Sequence, residues 1–424
     1  MKKEDSKPDA PDRNLGTGSV TGHGTTLVAS FFLLLTCLAC NKGFGPHSVS
    51  GTLGAILMPK GAIASSLTSH NESPNFTAEA NPFLNSPYQQ ETKLKHVSVN
   101  SISQLNRELN KANRSNGHVS LDIEDGVYQL GHTLNIKADY IVLASKSGNP
   151  EKVILQGGKI KNAGIPVLIK VFANHFSIDG ITLRNAKAHL IQIAGEHNAD
   201  YPVIRNCIFQ DSYQQFVKIS YDKKSRAASS SDFGLVEDSV FQYSEGIGPN
   251  YYIGGIDLHA GNSWIIRNNQ FRDIASPGGS IAQHAIHAWN NAYNTIVENN
   301  IIEDCDRAIG FGLYTRKRHP SIAFSHLGGI IRNNLIMHSD NNDPFADVGI
   351  IIEDSANTLI ENNRIWLGHD YPNAIEYRFP STQNVVIKNN ITNKRIVSRN
   401  GARAVLSNNT TNAGKEDILG KRHD

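Results

Sequence analysis

Cysteine is scarce in this chain, and its placement narrows the fold. There are four in 424 residues, and Cys37 and Cys40 share one short apolar stretch, leaving only Cys207 and Cys305 for the rest. That excludes a disulfide framework. Net charge is nearly absent: 41 basic residues face 39 acidic ones, a formal net charge of +2. No global field draws in nucleic acid or an anionic bilayer, so neither is expected as a partner. Long apolar runs are few. The most apolar, TTLVASFFLLLTCLAC from Thr25 to Cys40, is short for a membrane span and has the length of a signal-peptide h-region. Helical periodicity is missing too, except in SISQLNRELNKAN, where Ile102, Leu105 and Leu109 fall on one face behind Ser101 or Ser103 as N-cap.

The closing CLACNK resembles a bacterial lipoprotein cleavage box, in which a small residue, here Ala39, precedes the Cys that is lipidated; Cys37 stands where Leu is usual. Residues 1–40 are expected to be a signal peptide, of lipoprotein type if Cys40 is acylated. The protein is then exported, as a periplasmic, outer-membrane or extracellular species that meets a membrane only through that anchor. Residues 41–92, rich in Ser, Asn, Pro and Gly without a sustained period, read as a tether.

What the chain does have is a repeat. An apolar-flanked asparagine recurs in VIRNCIF, IIRNNQF, TIVENNII, GIIRNNLI, LIENNRI, VVIKNNIT and VLSNNTT, with its first Asn at 206, 268, 299, 333, 362, 389 and 408. LVEDSVF fills the gap with Asp238, so successive steps are 32, 30, 31, 34, 29, 27 and 19 residues. Short β segments at this period predict a parallel β-solenoid with stacked rungs. Asparagine suits its bends, because it tolerates the left-handed conformation and its amide both donates and accepts along a ladder. The expectation is an all-β, single-stranded right-handed parallel β-helix over 93–412, with a short N-terminal capping helix and a tail over 413–424.

From about residue 95 to 412 the chain resembles right-handed parallel β-helix proteins of the pectate-lyase-like class, with the rung pattern of carbohydrate-binding and sugar-hydrolase β-helix repeats. The resemblance implies secreted enzymes acting on polysaccharides along an open groove. A narrower one lies in GGIDLHAGNSWIIRNNQF, which is similar to the Asp-Pro-His-Asp rung of mannuronan C5-epimerases. Asp257 and His259 match, while Leu258 and Ala260 stand where that family has Pro and a second Asp.

The residues themselves point to the same chemistry. Removing the C5 proton of a uronic acid, by β-elimination or C5 epimerisation, needs a group on the carboxylate, a base at C5, and an acid for the leaving oxygen or for reprotonation. His259 suits the base because imidazole titrates near neutrality, and Asp257 shares its strand face as orienter. One rung on, AQHAIHAWNN offers His284, His287 and Trp289; the next offers Asp304, Asp306 and Arg307, then the basic run Arg316, Lys317, Arg318 and His319. We read His287 and Arg307 as further catalytic residues, Arg307 paired with a uronate carboxylate. Trp289, Tyr251 and Tyr252 are read as sugar-stacking rings and His284 as substrate-binding. Lys218 supplies a neutralising cation, and GHDYPNAIEYRFPST supplies a clamp of Tyr377 and Arg378 with Tyr371 nearby.

No metal ligand set stands out. Calcium suits Asp304, Asp306 or Glu353, without an EF-hand or glycine-aspartate repeat, and zinc lacks its helical histidine spacing. Two other readings stand beside the lyase or epimerase. One is a glycoside hydrolase pairing Asp257 with Asp304 or Asp306; the other is a non-catalytic glycan-binding surface module whose acids and imidazoles do not converge. The polysaccharide is the expected partner, and the chain is expected to act as a monomer.

Overall fold

The computed structural model describes residues 93–420 apart from 159, 161–163, 223–228, 316–321 and 340–341. The expected signal segment with Cys37 and Cys40, the tether and the basic run Arg316, Lys317, Arg318 and His319 lie outside the described residues.

Apart from Lys95–Val99 and Val119–Ile123, which share a sheet, strands that follow one another in the chain enter different sheets, and the pairings between turns are parallel. This produces a 12-stranded sheet from Lys95–Val99 to Ala404–Ser407 and a ten-stranded sheet from Gly126–Gln129 to Ile391–Thr392. A second ten-stranded sheet, called here the site sheet, runs from Leu134–Ile136 to Arg395–Arg399. The result is a parallel β-helix.

Register explains why apolar residues recur beside each asparagine. Ile204, Val236, Ile266, Val297, Ile331, Ile360 and Ile387 stack strand on strand and are fully buried. Phe209, Phe241 and Phe271 stack likewise, with ring centroids 4.6 Å apart. Like shapes in register let successive turns pack closely in the interior.

The paired asparagines divide their work. Each first position, from Asn206 to Asn408 with Asp238 between, adopts positive φ, 50° to 56°. Each second position points inward. Asn269, Asn300, Asn334, Asn363 and Asn390 are at most 1% exposed, and each side-chain nitrogen donates to the side-chain oxygen of the next, from Asn300 through to Asn409, at 2.9–3.1 Å. The same oxygens also accept a backbone N–H at 3.0 Å, and each amide nitrogen donates again to a backbone carbonyl one turn back. No amide atom in this ladder goes unpaired, as burial demands.

A helix, Ile102–Arg114, buries Leu105, Leu109 and Ala112, and Ser101 is its N-cap, accepting from the Gln104 N–H at 3.3 Å. The expected C-terminal tail contains a helix, Lys415–Leu419, that buries Ile418.

Candidate functional site

The strand Gly254–His259 alternates as a sheet must. Ile256 and Leu258 point into the coil and are fully buried, so Asp257 and His259 face outward. They are nonetheless only 8% and 4% exposed, because neighbouring side chains cover them. Strand register defines the column they belong to: Lys170, Gln192, Lys218, Asp257, His287, Gly310, Ile351 and Glu376, one residue per turn.

Lys218 is the hub of the upstream part. Its Nζ donates to Asp257 Oδ2 and lies 2.5 Å from His259 Nε2, while that Nε2 is 3.2 Å from the same carboxylate oxygen. Trp289 Nε1 donates to Asp257 Oδ1 at 2.7 Å, and the Asn290 side-chain amide meets His259 Nδ1 at 2.8 Å. Both ring nitrogens of His259 are therefore engaged. Side-chain exposure is 17% for Lys218 against 5% for His259, so the amine is the member nearer solvent. Burial alone would raise the Asp257 carboxyl; electrostatic attraction from His259, then Lys218, and the bond from His259 outweigh it and hold the group well below the usual range.

A row of rings crosses the same surface. Tyr221 stacks on His259 at 4.8 Å, His259 meets Trp289 at 4.5 Å, Trp289 stacks on His287 at 5.0 Å, and His287 meets His284 at 4.4 Å. His287 Nε2 donates to the Gly312 carbonyl at 3.0 Å, and burial pushes its titration down to about 4, so at neutral pH its lone pair sits on Nδ1.

The downstream part is a closed charge network. Glu376, with no exposure, accepts from Tyr371 Oη at 2.5 Å, Asn373 Nδ2 at 2.6 Å, Arg378 Nε at 2.6 Å and Arg399 Nη1 at 3.1 Å. Arg378 Nη1 also donates to Glu353 Oε1 at 3.0 Å. Arg378 was expected to clamp a substrate carboxylate; here two protein carboxylates already hold it.

Two further expectations are corrected by geometry. Tyr377 lies on the inner face, 7% exposed within the apolar core, because it alternates with Glu376 and Arg378. Arg307 spends Nε and Nη2 on the Ala282 carbonyl, at 3.0 and 2.7 Å, with Asp347, Asp306 and Glu353 as the carboxylate charges acting on it. Trp289, His287 and His284 do join Asp257 and His259. Tyr252 is half-buried close enough to Asp257 for that charge, after burial itself, to push its phenol up, whereas Tyr251 is 48% exposed.

The acids considered for calcium are spent separately: Asp304 on Ser339, Asp306 on the backbone of Ser276 and Ala282, Glu353 on Arg378 and the Tyr314 N–H. Among the described residues no group of three or more His, Cys, Asp or Glu side chains is arranged to hold a metal ion. No helix there is long and apolar enough to cross a membrane.

Sequence reading overlooked Tyr221, Asn290 and Gly310. Only Gly310 carried a signal, since a glycine inside a strand marks a place where something approaches closely. A Cβ there would lie 2.8 Å from His284 Nε2.

Residues 254–418 match the family model described as Right handed beta helix region. No curated protein matches the chain in sequence. Among solved structures it is similar to an alginate lyase from Paenibacillus sp. str. FPU-7, at 14% identity over 75% of this chain and 99% of that one, TM-score 0.47. A mannuronic acid specific polysaccharide family 6 lyase from human gut microbiota gives 12% identity over 77% and 85%, TM-score 0.46. A Streptococcus pneumoniae surface protein and adhesin gives 11% over 75% and 97%, TM-score 0.42. These include both enzymes and an adhesin. Coil topology and matched model agree on the fold, a right-handed parallel β-helix.

Proposed function

We propose that this protein is an exported enzyme acting on an acidic, uronate-containing polysaccharide by abstraction of the C5 proton, with β-elimination or C5 epimerisation as the outcome. The observation that carries this reading is the contact of the Lys218 amine with both Asp257 and His259 on the outer face of the site sheet. A contact of 2.5 Å between an amine and an imidazole nitrogen holds one proton. When that proton passes from Nζ to Nε2, the new imidazolium faces Asp257 Oδ2 and the amine gains a lone pair. Lys218, the more exposed partner, then takes the C5 proton. His259 is the proton acceptor behind it and Asp257 the charge that stabilises the imidazolium. For Nε2 to take that proton, Nδ1 carries its own hydrogen before and after the transfer, so the Asn290 side chain that meets Nδ1 at 2.8 Å presents its oxygen as acceptor in both states.

A uronate suits this base, because its carboxylate acidifies the adjacent C–H, and Lys170 and Gln192 continue the column upstream toward neighbouring carboxylates. In elimination the C5–H and C4–O4 bonds break, a C4=C5 double bond forms and the leaving oxygen takes a proton. Tyr252, whose phenol is pushed up by burial and then by the Asp257 charge, keeps its proton at neutral pH and is the acid proposed for that oxygen. Paired-acid hydrolysis gains no support, since Asp257 is held by Lys218, His259 and Trp289.

The test is the full chain with alginate, pectate, glucuronan and glycosaminoglycans, following the ultraviolet absorbance of unsaturated ends. Lys218→Met is expected to lower the rate by roughly 10²–10⁴-fold, the range of a lost acid–base group. Absence of both absorbance and C5 exchange on every polymer would discard the reading.

A further inference from the structure

His284 is a buried imidazole that the protein holds firmly and leaves chemically unused. It is 5% exposed, and neither ring nitrogen has a hydrogen-bond partner. A neutral imidazole carries one donor and one acceptor, and leaving a buried polar group unpaired is destabilising. Yet the segment around it is fixed from both sides. Asp306 accepts from the Ala282 N–H at 2.7 Å, Arg307 donates twice to the Ala282 carbonyl, the His284 carbonyl accepts from the Gly255 N–H at 3.1 Å, and the Ala285 N–H donates to the Arg307 carbonyl at 2.9 Å. The ring also has a built seat. Gly310 is the outward residue of its strand, and a Cβ there would lie 2.8 to 3.0 Å from three atoms of the imidazole. His284 thus occupies the place of the missing side chain, next to His287 and one turn beyond it from Asp257.

We infer that His284, seated on Gly310 and positioned by Asp306 and Arg307, is a hydrogen-bonding subsite for a free, unacylated hydroxyl of the sugar beside the reacting uronate. This rests on the reading of Lys218 and Asp257 as the reacting centre and adds a preference to it. The position calls for a neutral partner: burial, then Arg307 and His287, keep the imidazole uncharged, so it both donates to and accepts from a hydroxyl but does not pair with a carboxylate. An O-acetyl group removes the hydroxyl donor and adds bulk against a ring that is already packed. Arg307 is accordingly a positioning residue.

The experiment uses the full chain and hexasaccharides of polymannuronate, polyguluronate and polygalacturonate, each native and O-acetylated, with Kd by calorimetry beside KM and kcat. His284→Ala is expected to raise Kd and KM for the free oligosaccharide about 5- to 10-fold, the size of one hydrogen bond, with a smaller fall in kcat. It should also erase the preference for the unacetylated form. Gly310→Ala, whose backbone conformation an alanine accepts, is expected to act in the same direction by displacing the ring. Arg307→Met should follow His284→Ala, and Arg307→Lys, which keeps a donor for the Ala282 carbonyl, should recover most of the loss. Unchanged Kd, KM and acetyl preference in folded His284→Ala and Gly310→Ala would overturn the inference and leave the catalytic reading intact. Binding without turnover in the wild type would remove the catalytic reading while the Kd ratios still decide the subsite. Binding to none of the hexasaccharides would overturn both.

Discussion

The column of Asn269, Asn300, Asn334, Asn363 and Asn390 and the column of Lys218, Asp257, His287, Gly310, Ile351 and Glu376 both place one residue per turn on successive rungs of the same coil. They are built on opposite rules. In the first, one residue type repeats, every amide atom is paired, and the column is buried throughout. In the second, no residue type repeats over the six rungs from Lys218 to Glu376; ammonium, carboxylate, imidazole, glycine, isoleucine and a second carboxylate follow one another, and the imidazole lying over the glycine has no partner. In a solenoid, stacking like on like satisfies the structure. Departure from that uniformity is where chemistry is to be sought.

Substitutions that separate the columns test this contrast. The largest effect is expected from Asp257→Asn, which removes the charge facing both Lys218 and His259: turnover should fall roughly 10²–10⁴-fold. The double variant Asp257→Asn/Lys218→Met should lose little more than the single one, because the two act as a unit. Asn334→Ala strikes the other column. It strips the acceptor from the Asn300 side chain and backbone N–H and the donors from Asn363 Oδ1 and the Val297 carbonyl, at about 1–3 kcal/mol for each buried group left unpaired. Denaturant unfolding should register that loss while kcat of the folded fraction stays near wild type. An equal loss of activity in folded Asn334→Ala would break the division.

A smaller effect is expected at His326, fully buried, stacked on Phe311 at 4.0 Å and bonded to Thr295 Oγ1 at 3.1 Å. Burial lowers its titration from 6.5 to about 3, so between those values the unfolded chain binds a proton the folded chain does not. This group's contribution to stability therefore falls as pH drops from 6.5 toward 3. His326→Phe should remove that contribution, so its urea midpoint should decline less than the wild type's between about pH 7 and about pH 5. The smallest expected effect is at the left-handed asparagines: Asn333→Ala should destabilise by about 1 kcal/mol and Asn333→Gly by a few tenths, both read by thermal unfolding.

The inner column was legible in the sequence because repetition is a sequence property: the paired asparagines announced the rungs, their bends and the apolar residues stacked beside them. The outer column was legible only in pieces. Asp257 and His259 share a face by simple alternation, and the same alternation should have set Tyr377 opposite Glu376 and Arg378, inside the coil. Which residues stack across turns depends on the length of each connection. Lys218 to Asp257 spans 39 residues and Gly310 to Ile351 spans 41, against steps of 27 to 34 between most asparagines, so counting along the chain could not place Lys218 against Asp257 or His284 over Gly310. Nor could it show that Arg378 is held by two glutamates, since Glu353 and Glu376 meet it from different turns.

The most direct test of the Lys218 centre is proton NMR of uronate oligosaccharides incubated with the full chain in D₂O, which reads C5 deuterium and unsaturated ends in one spectrum, beside Lys218→Met. The site described here predicts solvent deuterium at C5, or new unsaturated ends, with the wild type and neither with the variant. Equal exchange by wild type and folded variant would show that Lys218 is not the base and contradict the account at its centre.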